Sequence, residues 1–220
     1  MYQAAIFDLD GTLLDTIQDL ANAGNFTCTK MGWKTHSISE YKQFVGNGIP
    51  NLVKKLSPYS NLEPEKFEMA LEIFLRRYNQ HKSQHTQPYP DICALLSILN
   101  TNTIPIAVLT NKEHEIAQQI VHQYFPYHSF TLVQGSLNEM PAKPNPTLLL
   151  QILKSSAFEE KKALFIGDSN VDMLTAQNAG IDSCGVLWGF RDEKELTQAG
   201  ANHLIAKPLQ LLSLFDTTTD

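Results

Sequence analysis

Short apolar runs rich in β-branched residues alternate with longer amphipathic stretches over most of this 220-residue chain. The apolar runs predict strands at residues 4–7, 104–109, 130–133, 163–166 and 184–187. The amphipathic stretches predict helices at residues 92–99, 113–124, 147–154, 172–179 and 193–199. Alternation of this kind is typical of a parallel sheet that is covered by helices on both faces. The sequence therefore predicts a doubly wound α/β fold.

One segment interrupts the alternation. Residues 16–85 have no strand pattern, and apolar side chains recur there at helical spacing, as in Phe67, Leu71 and Phe74. We therefore expect a small all-helical domain at 15–85, inserted after the first strand, and an α/β core made of 1–14 and 86–220. Thr16, followed three residues later by Asp19, predicts a capped start for the first inserted helix. The last inserted helix is expected to begin after Pro64.

Composition and charge exclude several classes of protein. The formal net charge is −6 and the basic residues form no cluster, which argues against extended nucleic-acid binding. No apolar run approaches the roughly 20 residues that cross a bilayer, so we expect no membrane partner. The 3 cysteines are far apart, which suits a reducing compartment and predicts a cytoplasmic protein. The sequence leaves open whether the protein is a monomer or a homodimer.

Polar residues cluster directly after the predicted strands. Ligands of open α/β sheets bind outside the carboxyl ends of the strands, so these loops are the first place to look for a site. Four segments lie at such positions or just before a helix: Asp8-Leu9-Asp10-Gly11-Thr12, Thr110-Asn111, Lys143-Pro144 and Gly167-Asp168-Ser169-Asn170-Val171-Asp172. The predicted fold would bring all four to one crevice.

The carboxylates in these loops predict a metal site. Asp8 and Asp10 are two residues apart on an extended strand end, so their side chains are expected to point to the same side. Asp168 would add a third carboxylate. Carboxylates gathered in this way repel one another unless a hard, oxygen-liganded cation joins them, and Mg²⁺ is the natural candidate.

The other polar groups predict a site for a phosphoryl group. Thr110, Asn111 and Lys143 are the candidates for binding phosphate oxygens. Once those oxygens are neutralised, Asp8 can attack phosphorus and form an aspartyl phosphate that water later cleaves. Asp10 can donate a proton to the leaving alkoxide and then accept one from water. Lys143 would stabilise the charge that develops in the transition state.

In their order and residue types, the four segments resemble the motifs of the haloacid dehalogenase superfamily of phosphohydrolases. The first motif is Phe7 to Leu13, and the others are Leu109-Thr110-Asn111, Lys143-Pro144 and Gly167 to Asp172. The resemblance implies that Asp8 is the nucleophile and Asp10 the acid/base. It also implies that the Asp8 carboxylate, the Asp10 backbone carbonyl and Asp168 hold the metal, with Asp172 in support. The helical insertion then corresponds to the mobile cap of the family, which closes over small substrates.

Further segments resemble the phosphoglycolate phosphatases of that superfamily. They are residues 15–21, Phe44-Val45-Gly46-Asn47-Gly48, Thr110-Asn111-Lys112 and residues 185–190. Gly46, Asn47 and Gly48 lie in the insertion, where backbone N–H groups at a helix start could bind a substrate carboxylate. The resemblance implies a small phosphorylated metabolite as substrate, with phosphoglycolate the leading candidate.

Other interpretations remain open at the level of sequence. Lys112 also follows a strand and competes with Lys143 as the phosphate lysine, and Asp172 could be only an acidic residue in the first turn of a helix. A pyrophosphatase, a sugar phosphatase or a phosphoglucomutase would share the same core, although residues 16–25 lack the basic group that related mutases use. A phosphate-binding regulatory protein without turnover is a further alternative, but it would be expected to lack at least one of the four core groups.

Overall fold

The computed structural model describes residues 1–137, 140–159 and 161–217 of the chain. The predicted core segment 86–220 therefore includes six residues that lie outside the described part: 138, 139, 160 and 218–220. The chain forms two compact units. One unit joins Met1–Leu14 to Pro88–Asp220, and the other is Asp15–Gln87.

The first unit is built on a parallel sheet, which confirms the predicted fold class. Among the described residues, its six strands are Ala4–Phe7 (β1), Ile106–Glu113 (β4), Leu132–Ser136 (β5), Ala163–Gly167 (β6), Asp182–Val186 (β7) and His203–Ile205 (β8). They pair in the order β5-β4-β1-β6-β7-β8. The pairs are parallel throughout the sheet, as in the register that aligns Ile6 with Ala107 on one side and with Phe165 on the other.

Helices cover both faces of this sheet. They are Ile92–Thr101 (α5), His114–Tyr124 (α6), Thr147–Leu153 (α7), Asn170–Ala179 (α8) and Glu193–Gln198 (α9), and a 3-10 helix follows at Pro208–Leu214. Alternate residues of β1 face opposite ways, as the pleat requires. Ala5 and Phe7 pack in the layer that includes α5 and α6, whereas Ala4 and Ile6 pack in the layer that includes α7.

Four strands differ from the sequence prediction. β5 was expected at residues 130–133 but lies at Leu132–Ser136, and β7 was expected at residues 184–187 but lies at Asp182–Val186. β4 was expected to end at Leu109 but continues to Glu113, with a register shift against β5 between Leu109 and Glu113. The apolar run ends at Leu109, but the strand continues through the polar residues that follow it. β8 was not predicted, since a strand of three residues that begins with a histidine carries too short an apolar pattern.

The second unit is helical apart from its two ends. Its helices are Ile17–Met31 (α1), Ile38–Phe44 (α2), Ile49–Leu56 (α3) and Pro64–His81 (α4). The chain crosses between the units at Leu14–Asp15 (β2) and Gln87–Pro88 (β3), which form a two-stranded sheet. None of the described helices is long and apolar enough to span a membrane.

The predicted start of α1 directly after Thr16 is confirmed, but the side-chain capping expected of Thr16 and Asp19 is wrong. Thr16 makes no side-chain capping bond. The buried carboxylate of Asp19 instead accepts hydrogen bonds from the backbone N–H groups of His85 and Thr86, at 3.0 Å and 2.9 Å, and from the Thr86 hydroxyl at 2.8 Å. These contacts explain why Thr86, expected in the core, groups with the inserted unit.

Candidate active site

The first-motif loop leaves β1 at the carboxyl edge of the sheet. The N–H of Asp8 still donates to the Ile166 carbonyl at 2.8 Å, and the chain then folds back so that the Leu9 carbonyl accepts from Leu13 and Leu14, both at 3.0 Å. Gly11 has φ +90°, and a Cβ there would collide with the Asp168 carboxylate. Glycine is therefore required at this turn both for its backbone conformation and for the room that it leaves.

Lys143 lies at the centre of the site. Its ammonium nitrogen, Nζ, donates to Asp8 Oδ1 at 2.9 Å, to Asp172 Oδ1 at 2.6 Å and to the Leu109 carbonyl at 3.0 Å. The side chains of Lys143, Asp8 and Asp172 are 3%, 11% and 1% exposed. This ammonium is the shared partner of two buried carboxylates, so removal of Lys143 would leave both of them without their ion pair.

Asp168 and Asp172 lie in the loop that follows β6 and in the first turn of α8. Asp172 Oδ2 accepts from the backbone N–H and the hydroxyl of Ser169, so Asp172, an acidic residue in the first turn of α8, also forms a capping box there. Asp168 Oδ2 accepts from the Phe190 N–H at 2.7 Å. Ligand atoms of Asp8, Asp168 and Asp172 lie within 4.8 Å of one another. The structure thus brings these three predicted metal ligands together.

Burial is the largest influence on the pKa values of Asp8, Asp168 and Lys143. Loss of solvent raises the pKa of Asp8 to about 7, although the Lys143 ammonium opposes the shift. Burial, together with the charges of Asp172 and Asp8, raises the pKa of Asp168 well above its ordinary value. For Lys143, burial works to lower the pKa, but the carboxylates of Asp172 and Asp8 outweigh it, so the pKa lies above its ordinary value. Lys143 therefore stays charged, whereas Asp8 and Asp168 ionise less readily than carboxyl groups in water.

The Asp10 carboxylate does not join this cluster in the described part of the chain. Asp10 Oδ2 instead accepts from Lys112 Nζ at 2.7 Å. The expectation that Asp8 and Asp10 point to the same side assumed an extended strand end, but the chain turns at Asp10, which bridges to Leu14. Lys112, a candidate phosphate ligand from sequence, therefore pairs with the second aspartate of the first motif.

Thr110 and Asn111 are buried at the end of β4. The Asn111 side chain pairs with the backbone of Lys143: its Nδ2 donates to the Lys143 carbonyl at 3.0 Å, and its Oδ1 accepts from the Lys143 N–H at 2.8 Å. The Thr110 hydroxyl accepts from the Lys112 N–H at 3.3 Å. Both residues therefore position the two lysines, a function that the sequence reasoning missed.

The donor set fits a divalent cation. Three buried carboxylates, those of Asp8, Asp168 and Asp172, gather around the ammonium group of Lys143, so negative charge is in excess when all are ionised. Oxygen ligands with an excess of negative charge suit a hard cation such as Mg²⁺.

The residues predicted to contact the rest of the substrate, Gly46, Asn47 and Gly48, lie in the second unit. Gly46 and Gly48 both have positive φ, and Gly48 caps the start of α3. A cavity of about 370 Å³ is lined there by Asn47, Asn51, Lys54 and Lys55. The segment therefore combines backbone donors at a helix start with amide and ammonium side chains.

Comparison with known proteins supplies the family. The family model for haloacid dehalogenase-like hydrolases matches residues 5–186. The phosphoglycolate phosphatase of Neisseria meningitidis is 32% identical over 202 residues, which cover 90% of this chain and 86% of the relative. That of Aquifex aeolicus is 29% identical over 211 residues, covering 96% and 95% of the two chains.

A solved structure agrees with this assignment. The crystal structure of a protein from Lactobacillus delbrueckii subsp. bulgaricus, proposed to be a phosphoglycolate phosphatase, superimposes with a TM-score of 0.89 at 29% identity and covers 97% of this chain and 98% of that one. These likenesses confirm the predicted resemblance and the prediction of a phosphatase-type enzyme. This chain belongs to the haloacid dehalogenase-like hydrolase family.

Proposed function

We propose that the protein is a Mg²⁺-dependent phosphomonoesterase that hydrolyses phosphoglycolate. The observation that carries the proposal is the buried Lys143 ammonium, which joins Asp8 and Asp172 beside Asp168 at the carboxyl edge of the sheet. The names of the relatives from Neisseria meningitidis and Aquifex aeolicus support the choice of substrate.

In the proposed reaction Asp8 is the nucleophile. Its carboxylate oxygen forms a bond to phosphorus while the ester P–O bond breaks, and Asp10 gives a proton to the departing alkoxide. Asp10 then takes a proton from water, which attacks phosphorus and releases Asp8 and inorganic phosphate. Lys143 and Thr110 bind the phosphoryl oxygens, and the Asn111 side chain holds the backbone of Lys143 in place.

The cation would be held by the carboxylates of Asp8 and Asp168 and by the backbone carbonyl of Asp10, with Asp172 in support. When bound, Mg²⁺ supplies positive charge that neutralises phosphoryl oxygens and favours the ionised form of the carboxylates. Its expected effect on the free protein is stabilisation, since it binds only the folded state. Asp168→Asn should therefore abolish the rise in melting temperature that Mg²⁺ causes.

In this proposal the inserted unit, Asp15–Gln87, is the cap that selects the substrate. The segment Gly46-Asn47-Gly48 and the neighbouring Lys54 offer donors and positive charge to the carboxylate of phosphoglycolate. Asn47→Ala should then raise KM for phosphoglycolate and leave KM for p-nitrophenyl phosphate, which has no carboxylate, unchanged. A cytoplasmic location stays a prediction from the sequence.

The deciding experiment measures phosphate release from phosphoglycolate, pyrophosphate, glucose 1-phosphate, glucose 6-phosphate and 5′-nucleotides, with Mg²⁺ and with a chelator. We expect phosphoglycolate to have the highest kcat/KM and the chelator to stop turnover. A preference for pyrophosphate or a sugar phosphate would overturn the substrate and leave the chemistry. Turnover by Asp8→Asn at the parent rate would overturn the chemistry itself. Phosphate binding without turnover on any ester would favour a regulatory protein.

A further inference from the structure

The side chains of the ion pair between Lys112 and Asp10 are about as buried as those of the pair between Lys143 and Asp8. Lys112 Nζ lies 2.7 Å from Asp10 Oδ2, and the two side chains are 2% and 14% exposed. Burying two charged groups costs free energy unless the groups lie close together and pair with each other. We therefore infer that this ion pair holds the Asp10 carboxylate in one position.

The backbone around Lys112 is itself held on both sides. The register shift near the end of β4 carries the strand past Leu109, and the Lys112 N–H donates to the Thr110 hydroxyl. On the neighbouring strand, Gly135 approaches so closely that a Cβ there would lie 2.6 Å from the Lys112 carbonyl oxygen. Irregular strand pairing of this kind re-aims a side chain, and here it accompanies the turn of Lys112 toward Asp10.

The two carboxylate oxygens of Asp10 are left in different situations. Oδ2 is held by the Lys112 ammonium, whereas Oδ1 is buried and has no hydrogen-bond partner in the part of the chain that the structure describes. A buried polar oxygen without a partner is unfavourable and marks a place where another group belongs. A carboxyl group that moves protons needs this arrangement, with one oxygen anchored and the other available.

We propose that Lys112 is the positioning residue of Asp10: it anchors Oδ2 and so aims Oδ1 at the ester oxygen that leaves the phosphorus. The inference rests on the proposed function, in which Asp10 carries the proton. As the ester P–O bond breaks, the proton passes from Asp10 Oδ1 to the leaving oxygen, and the Lys112 ammonium stays on Oδ2. Each aspartate of the first motif then has its own lysine, Lys143 for Asp8 and Lys112 for Asp10.

The test compares two phosphate esters that differ in their need for that proton. The leaving group of an alkyl ester such as phosphoglycolate is a strongly basic alkoxide, which needs a proton. The leaving group of p-nitrophenyl phosphate is p-nitrophenolate, an anion that is stable without one. The measured quantity is kcat/KM, because it reports the steps up to departure of the leaving group. For Lys112→Met we expect kcat/KM to fall about 100-fold with the alkyl ester, as for other misplaced proton donors, and to change little with the aryl ester.

Two further variants make the result specific. Lys112→Arg keeps the charge and should restore part of the alkyl-ester rate. In the Asp10→Asn background, Lys112→Met should not alter the ratio of the two rates, since no proton donor is left to position. The double variant also removes both charges of the buried pair, so it keeps the test available if Lys112→Met alone does not fold.

Equal losses with the two esters, or a raised KM at unchanged kcat, would overturn the inference, because they would make Lys112 a phosphate ligand or a purely structural residue. Failure of the proposed function gives a different result. In that case Asp8→Asn would retain turnover of both esters, whatever Lys112→Met does.

Discussion

Asn111 and Lys143 are joined by two hydrogen bonds, in which the side-chain amide of the one pairs with the backbone N–H and carbonyl of the other. The contact links the end of β4 to the loop that carries the central ammonium. Because Lys143 reaches Asp8 and Asp172 from that backbone, its placement depends on Asn111.

Asn111→Ala should therefore lower activity more than stability. Loss of the two hydrogen bonds leaves the Lys143 backbone free to shift, and a displacement of about 1 Å at such a site costs about 100-fold in rate. The matched control is Asn100→Ala, which removes the same kind of pair between Asn100 and the backbone of Ser129. Steady-state kinetics should separate the two variants, and similar kcat/KM values for both would contradict the positioning role of Asn111.

The raised pKa of Asp8 predicts an inverted pH dependence of stability in metal-free protein. In the folded state the pKa is about 7, against an ordinary value of 3.8, so the folded form binds more protons than the unfolded chain between these values. The free energy of unfolding should therefore fall as pH rises from about 4 to 7, and this contribution should be constant above that window.

Urea denaturation with a chelator at pH 5 and pH 8 checks this dependence. Asp8→Asn should show a smaller loss between the two pH values than the parent protein, and Asp168 accounts for a remaining loss in the same direction. Saturating Mg²⁺ should reduce the parent's loss, because a bound cation favours the ionised carboxylates. A parent protein that gains stability from pH 5 to pH 8 in chelator would contradict the prediction.

The buried carboxylate of Asp19 is expected to stabilise the inserted unit. Asp19→Ala leaves the N–H groups of His85 and Thr86 and the Thr86 hydroxyl without their acceptor. Each hydrogen bond to a charged group contributes about 1.5–3 kcal/mol and three donors lose their acceptor, so the free energy of unfolding should fall by at least that amount. Thr86→Val removes one donor only and should cost less. Equal stability of Asp19→Ala and the parent in urea denaturation would show that these bonds do not hold the end of the unit.

Gly135→Ala should disturb the end of β4 from the neighbouring strand. The added Cβ would lie 2.6 Å from both the Lys112 carbonyl oxygen and the His114 Cα, and backbone atoms cannot yield as a flexible side chain can. Overpacking of this kind costs about 1–3 kcal/mol, and we expect kcat/KM to fall as Lys112 moves. Ser136→Ala, one residue further along β5, is the control and should leave both quantities unchanged. Unaltered kinetics for Gly135→Ala would mean that the strand end can shift without effect on the site.

The fold was largely predictable because its strands are buried by helices on both faces. Full burial leaves continuous apolar runs, and such runs located β1 and β6 almost to the residue. The rule failed where buried strand positions carry polar side chains, as at the last residues of β4, and where a strand is as short as β8. Pattern alone carries no information on pairing beyond the apolar run.

The residues of the site were easier to find than their partners. Asp8, Lys143 and Asp168 stood out because each follows a strand or precedes a helix in a loop of unusual composition. The pairing of Lys112 with Asp10, and of Asn111 with the Lys143 backbone, depends on the register shift in β4 and on the turn at Gly11. The Phe190 N–H that holds Asp168 left no trace in the sequence, since any residue but proline could supply it.

The pairing of β2 with β3 means that the inserted unit enters and leaves the chain at neighbouring points. An insertion whose two ends meet can be lengthened, shortened or exchanged for another without stretching the scaffold that receives it. Its sequence is thus free to drift or to be redesigned while the buried lysine–aspartate pairs stay intact. Under the proposed function, in which this unit selects the substrate, transplanting Asp15–Gln87 as a block is accordingly a practical route to changing which ester such a scaffold accepts.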